Sequence, residues 1–412
     1  MQCNRPGDKN IQALVPDEDN GGIELPEGFN ALVVADNLGR GRHIDVNENG
    51  DVYMALRQLN NGKGIVAIRD TTGNGRSDII EYFGDYPGTG MEIKDGYLYF
   101  GGDTMVLRYS LIPGELLPDE EPELIISGFP EQNQHRDKSF AIDNSGNIYV
   151  NVGAPSNACM EQTRTMGSPG MYPCPQLERH AGIWRFALDK TGQTQTEDGY
   201  HYATGIRNAI ALTWNDSTDN LYVVMHGRDQ LHQFFPNLYT DEESAELPAE
   251  EFLLVKEGSV FSWPYFYFDH LKGEMVLAPE YGGDGEKTEG PVEVENPLMG
   301  FPGHLAPNDI LFYTGNQFPE RYRNGAFICF HGSWNRAPLE QKGYLVAFVP
   351  FEGEQPSGDW EIFADGFAGL DYVGSPADAK YRPMGIAMGS DGSIYVSDSQ
   401  EGKIWRIFYT GN

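Results

Sequence analysis
One pattern recurs along this 412-residue chain and restricts its fold more than any other feature: a short alternating strand, a polar turn, and a second strand centred on an aromatic residue. "HIDVNENGDVYMAL", "MEIKDGYLYFGG", "SFAIDNSGNIYVNVG", "IALTWNDSTDNLYVVMHG" and "GIAMGSDGSIYVSD" are clear copies, with Tyr53, Tyr99, Tyr149, Tyr222 and Tyr395 at the aromatic position. The long gap between Tyr222 and Tyr395 holds a degenerate sixth copy, "NGAFICFHG", with Phe327 in the same place. Period-2 alternation and turn dipeptides of the NG, DG and SG kind predict strands throughout, and helical periodicity of useful length is almost absent. A lone hairpin cannot bury both its faces, whereas several arranged radially can. The chain therefore reads as all-β: a single six-bladed β-propeller with extended loops over residues 25–412, behind an N-terminal leader or tether over 1–24. A pair of β-sandwiches is the competing architecture. In a propeller, function is expected where loops from several blades surround the mouth of the central channel.

The charge balance narrows the ligands. With 29 basic against 61 acidic residues the net charge is -32, which argues against nonspecific binding of nucleic acid or anionic lipid. Any basic cluster formed by the fold stands out against that background, and an anionic small molecule is its natural occupant. No apolar run is long enough to span a membrane as a helix. Cys3, followed by the polar stretch "NRPGDKNIQALVPDEDNGG", resembles the first residue of a mature bacterial lipoprotein with its flexible tether; a chance cysteine is the alternative. Cys159 and Cys174 bracket a loop that a disulfide would close, worth about 3 kcal/mol and indicative of an oxidising compartment, hence a periplasmic or extracellular location. Cys329, within an apolar run, reads as a buried thiol.

Several polar groups fall at strand ends near the repeats. His135 lies in "NQHRDKSF" between cations, which favours the neutral imidazole, and a neutral imidazole can act as a base. Arg207 and Asn208 in "YATGIRNAIALTW" can donate several hydrogen bonds to carboxylate or quinone oxygens, or simply form a turn with a surface salt bridge. In "MHGRDQ", the backbone carbonyls of the bend at Gly227 are hard oxygen ligands suited to calcium. Asp70 to Glu81, "DTTGNGRSDIIE", has the oxygen spacing of an EF-hand loop without its helices, so a structural calcium competes there with a plain turn. The P-loop, GxGxxG and GxSxG signatures are absent, which disfavours nucleotide and hydrolase chemistry of those kinds.

Taken in order, "LGRGRHIDV", "QHRDKSFAID", "CPQLERHAGIWRF", "YATGIRNAIALTW", "YVVMHGRDQL", "FYTGNQFPERYRNGAFICFHGSWNR" and "RPMGIAMGSDGSIYVSD" resemble the glucose/sorbosone dehydrogenase family of six-bladed propellers, which depend on pyrroloquinoline quinone (PQQ). The likeness is greatest to the sorbosone and pyranose dehydrogenase branch. It implies oxidation of a sugar, with His135 as catalytic base, Arg207, Asn208, Arg382 and Lys138 contacting the cofactor, and the carbonyls of Gly227 and Arg228 binding calcium. An external electron acceptor (dye, quinone or cytochrome) would reoxidise the cofactor. Glucose-oxidising members carry a lysine where this chain has His331, so cofactor anchoring is expected to pass to His331 and Arg336 of "HGSWNR". The acidic residue that orients the base in those members falls near Ala154, leaving Ser156 or Asn157 as substitutes. The loop "FSWPYFYFDH" could stack on quinone or pyranose, or form a packed lid. A calcium-dependent propeller lactonase and a cofactor-less glycan- or protein-binding propeller remain the alternative functions.

Overall fold
The computed structural model describes residues 14–411, so Cys3, where a lipid was expected, lies outside the described residues. Six sheets follow one another, each built outward from an inner strand: Gly41–Val46, Gly88–Lys94, Phe140–Ile142, Ala211–Asn215, Pro307–Phe312 and Pro383–Met388. These inner strands adjoin in ring order, and the last packs on the first, closing a six-bladed β-propeller. The sixth sheet is completed by the N-terminal strand Phe29–Ala35, which pairs antiparallel with Ile404–Tyr409. Both chain ends thus share a blade, leaving no open seam in the ring. Helices are few and short, such as Leu231–Phe234 and Asp241–Glu246.

The repeat aromatics explain why the ring forms. Each sits on the second strand of its blade, is buried, and packs in a cluster with the following blade: Tyr53 with Leu98 and Phe100, Tyr149 with Leu212 and Val223, Phe327 with Ile386 and Trp405, and Tyr395 with Ile44 and Met54. The repeat therefore encodes the contact between blades, which is the burial a lone hairpin lacks.

The leader ends earlier than expected. Asp17 and Asn20 accept the backbone N–H groups of Val33 and Ala31, Asp17 pairs with Arg76, and Glu24 bridges Asp365. Residues 17–24 are thus fastened to the sixth blade and its neighbour, because their carboxylates and amides satisfy an edge strand. The Asp70 loop is closed by its own side-chain hydrogen bonds. Asp70 accepts the N–H groups of Thr72, Gly73 and Gly75, and Asp78 takes Thr71, so the oxygens expected to face calcium face the loop's own donors.

Candidate active site
In each of the six blades the inner and second strands form a hairpin, and the turns the repeat advertises, such as those at Gly50, Gly96, Gly146 and Gly392 with positive φ, all lie at one end. The opposite, open end is where the chain enters the inner strand and leaves the second. His135, Arg207, His304 and Arg382 lie on entering loops; Gly227, Asp229, His331 and Trp334 on leaving loops. The fold thereby gathers residues far apart in sequence around one mouth. A cleft of about 200 Å³ opens there, lined by residues that include His135, Arg207, Asp229, Glu250, Trp334 and Asn335.

His135 stands with φ of 50°, and its Nδ1 lies 2.7 Å from the carbonyl oxygen of Ala154. The chain passes so close that a Cβ on Gly153 would meet the His135 Cβ at 2.5 Å and the Asn208 Oδ1 at 2.9 Å, so only glycine fits there. Burial, reinforced by the guanidinium of Arg207, lowers the imidazole to a pKa of about 3. Ser156 and Asn157 do not orient this base as anticipated. Ser156 Oγ donates to Gln176, and Asn157 serves the neighbouring arginine.

Arg207 is buried and donates Nε–H to the Asn157 carbonyl (3.1 Å) and Nη2–H to Asn157 Oδ1 (3.0 Å) and Asp229 Oδ2 (3.2 Å). Asp229 also pairs with Arg164 at 2.9 Å and accepts from Asn335 Nδ2 at 2.9 Å. These cations hold the Asp229 carboxyl well below its usual range despite its burial. Asn208 Nδ2 donates toward Nδ1 of His226, whose Nε2–H is bound to the Pro307 carbonyl at 2.6 Å. Burial holds His226 neutral, with a pKa of about 4.

Across the mouth, Arg382 donates Nε–H to the His331 carbonyl (3.1 Å) and Nη2–H to the His331 Nδ1 (2.9 Å). His331 Nδ1 also lies 3.2 Å from the Gly332 carbonyl, which accepts from Arg382 Nη2 as well, and its Nε2 lies 2.7 Å from Ser399 Oγ. Burial, with Arg382 and Arg42 nearby, pushes His331 well below its ordinary pKa. Among the described residues no carboxylate stands within salt-bridge distance of Arg382, and neither the Gly227 nor the Arg228 carbonyl accepts a hydrogen bond. The Gly227 N–H is held by Glu250 Oε2 at 2.7 Å, which fixes that bend.

Two expected anchors lie elsewhere. Arg336 is buried away from the cleft, where it donates to the carbonyls of Ala245, Gly303 and Glu340 and pairs with Glu246; it staples its loop to the short helix Asp241–Glu246. Lys138 is fully buried and donates to the Arg136 carbonyl, 5.9 Å from the Phe129 ring. Both are buried, Arg336 onto three carbonyls and Glu246, and Lys138 onto the Arg136 carbonyl. The Arg228 side chain likewise pairs with buried Glu280, leaving only its carbonyl to the bend. The aromatics of "FSWPYFYFDH" are a packed support: Phe261, Trp263, Tyr265, Phe266 and Tyr267 are buried, and Trp263 Nε1–H donates to the Asn157 carbonyl at 2.9 Å. Cys159 and Cys174 are disulfide-bonded, closing the loop that carries Asn157 at its root. Asp229 and Asn335 carry no sequence signal of their own, although Asp229 directly follows the bend at Gly227 and Arg228.

The fold and cleft define a six-bladed propeller protein with a guanidinium- and imidazole-lined axial site. The chain belongs to the TrAA12-like family, whose profile matches residues 23–267 and 275–410. It is 24% identical over 277 residues to the pyrroloquinoline quinone-dependent pyranose dehydrogenase of Coprinopsis cinerea, covering 59% of this chain and 37% of that protein. It is 27% identical over 209 residues to an uncharacterized protein of Borreliella burgdorferi, covering 50% of this chain and 48% of that one. The matched spans thus cover less than half the length of these curated relatives. Among solved structures, the holo PQQ domain of the Coprinopsis cinerea pyranose dehydrogenase matches with a TM-score of 0.75 at 18% identity, over 94% of this chain and 97% of that one. The calcium structure of the Trichoderma reesei family AA12 enzyme gives 0.74 at 16%, over 97% and 99%. The PQQ-bound aldose sugar dehydrogenase of Streptomyces coelicolor gives 0.58 at 14%, over 94% and 100%. These likenesses establish the fold.

Proposed function
We propose that this chain is a PQQ-dependent oxidoreductase acting on a CH–OH group of a sugar, an aldose, pyranose or sorbosone, with calcium as Lewis acid. The observation that carries the reading is a neutral imidazole beside buried and half-buried guanidiniums in the axial cleft of a strongly acidic protein. The residues present fit a polyanionic quinone. Among the described residues Arg382 has no carboxylate partner, and it stands beside His331 at the same end of the propeller as Arg207 and Asn208. The open carbonyls of Gly227 and Arg228 fit a hard cation. When bound, the quinone supplies the electrophile that takes hydride, and calcium polarises it.

The chain's own work is positional and protolytic. With Nδ1–H held on the Ala154 carbonyl, His135 presents an unprotonated Nε2 that takes the proton of the sugar hydroxyl. Arg207 and Arg382 favour negative charge in the cleft, where burial strengthens their effect. The mouth leaves room for an external electron acceptor. A disulfide suits an oxidising location, periplasmic or extracellular, with a lipid on Cys3 as a tether. The lactonase alternative needs carboxylate and amide side chains converging on a metal; among the described residues no group of three or more His, Cys, Asp or Glu is so arranged. Titrating the chain with PQQ and calcium tests the proposal: saturable binding is expected, and its absence at micromolar PQQ favours the cofactor-less binding propeller.

A further inference from the structure
Trp334 forms part of the cleft wall together with His135, Arg207 and Asp229, and half of its surface (50%) is exposed. Of the six tryptophans it is the one so exposed among the described residues. A large apolar ring open to solvent in a charged cleft is the mark of a surface that a ligand covers.

Asn335, the next residue, is also on the cleft wall and is fixed there: its Nδ2–H donates to Asp229 and its backbone N–H to Ser333 Oγ, which holds the loop that carries the indole. A pyranose brings the complement of an exposed indole, an apolar C–H face that covers the ring.

We propose that Trp334 forms the sugar-binding lip of this cleft. The pyranose ring lies on the Trp334 face with the reacting carbon turned toward His135. This rests on the sugar-oxidising reading of the cleft, but the lip is complete in the protein alone and needs no cofactor to bind. An open-chain polyol carries the same hydroxyls without a rigid apolar face, so the lip selects rings over chains.

Calorimetric titration of the full chain, without added PQQ, with D-glucose, D-galactose, D-xylose and the open-chain control D-sorbitol tests this directly. At least one pyranose is expected to bind more tightly than D-sorbitol. Trp334→Ala should weaken that pyranose by about tenfold or more, and Trp334→Phe by about threefold at most. PQQ affinity of Trp334→Ala, read by absorbance, should stay within about threefold of wild type. The lip is overturned if no pyranose binds better than D-sorbitol, if Trp334→Ala leaves pyranose affinity intact, or if that variant loses PQQ affinity instead, since the indole would then cover the cofactor. Pyranose binding by a wild type that never binds PQQ supports the lip while removing the dehydrogenase reading.

Discussion
The Nδ1 of His135 lies 2.7 Å from the backbone carbonyl oxygen of Ala154. A carbonyl only accepts, so Nδ1 carries the proton and Nε2 holds the free lone pair. Where relatives implied by the sequence use an acidic side chain, this chain uses its backbone, and Ala154 need offer nothing else. A neutral acceptor orients the ring without adding the negative charge that would raise its pKa. His135→Ala should therefore lower turnover by about 10²–10⁴-fold while leaving PQQ affinity within a few-fold, as steady-state kinetics beside an absorbance titration would reveal.

The same geometry fixes a pH signature. The His135 pKa falls from an ordinary value of 6.5 to about 3, so in the free protein the ring should show no titration between pH 5 and 8 by imidazole NMR. The unfolded chain takes up this proton below about pH 6.5, so His135 favours the fold fully above that pH and progressively less as pH falls toward 3. A His135 resonance titrating near pH 6.5 would contradict the buried, neutral base.

Arg382 and Arg336 should separate cleanly. Among the described residues no carboxylate pairs with Arg382, so Arg382→Ala is expected to weaken PQQ by about tenfold or more with a small change in melting temperature. Arg336 is stapled to Glu246 and buried carbonyls, so Arg336→Ala should cost about 2–4 kcal/mol of stability in urea unfolding. The reverse pattern would restore Arg336 as the anchor.

Glu251, which lines a cavity with Arg207, His226 and Gly227, offers a stability test. Its carboxyl is buried with one oxygen unpartnered, and burial lifts its pKa from 4.5 to about 7 despite the hydrogen bond from Ser262. A raised acid stabilises the fold fully below its unfolded pKa, and that contribution is lost as pH rises through about 7. Glu251→Gln, which mimics the protonated form, should gain about 1–3 kcal/mol on wild type between pH 5 and pH 8.5 in urea unfolding. Parallel pH profiles would refute the buried charge.

Reduction of the Cys159–Cys174 disulfide should cost about 3 kcal/mol, the value for a loop of about this length. Because Asn157 positions Arg207 from the root of that loop, the Cys159→Ser/Cys174→Ser variant should also bind PQQ more weakly. Unchanged affinity would detach the loop from the site.

The blades were legible because each repeat aromatic fills the gap to the next blade, a constraint that leaves a periodic trace. That His135, Arg207, Asn208, His331 and Arg382 stand at strand ends on one face was legible because each adjoins a repeat copy. Arg336 and Lys138 were misplaced because sequence cannot tell a cation facing a cleft from one whose donors are consumed by nearby carbonyls. The acceptor on His135 was invisible for a related reason: a backbone carbonyl belongs to every residue, and only the fold chooses which one points at the ring.

The central claim is best met by one absorbance titration of the wild-type chain with PQQ in the presence of calcium, followed by addition of an aldose. Saturable binding with a shifted quinone spectrum that bleaches on adding the sugar is the predicted result. No binding at micromolar PQQ, or a bound spectrum that no sugar alters, would contradict the account.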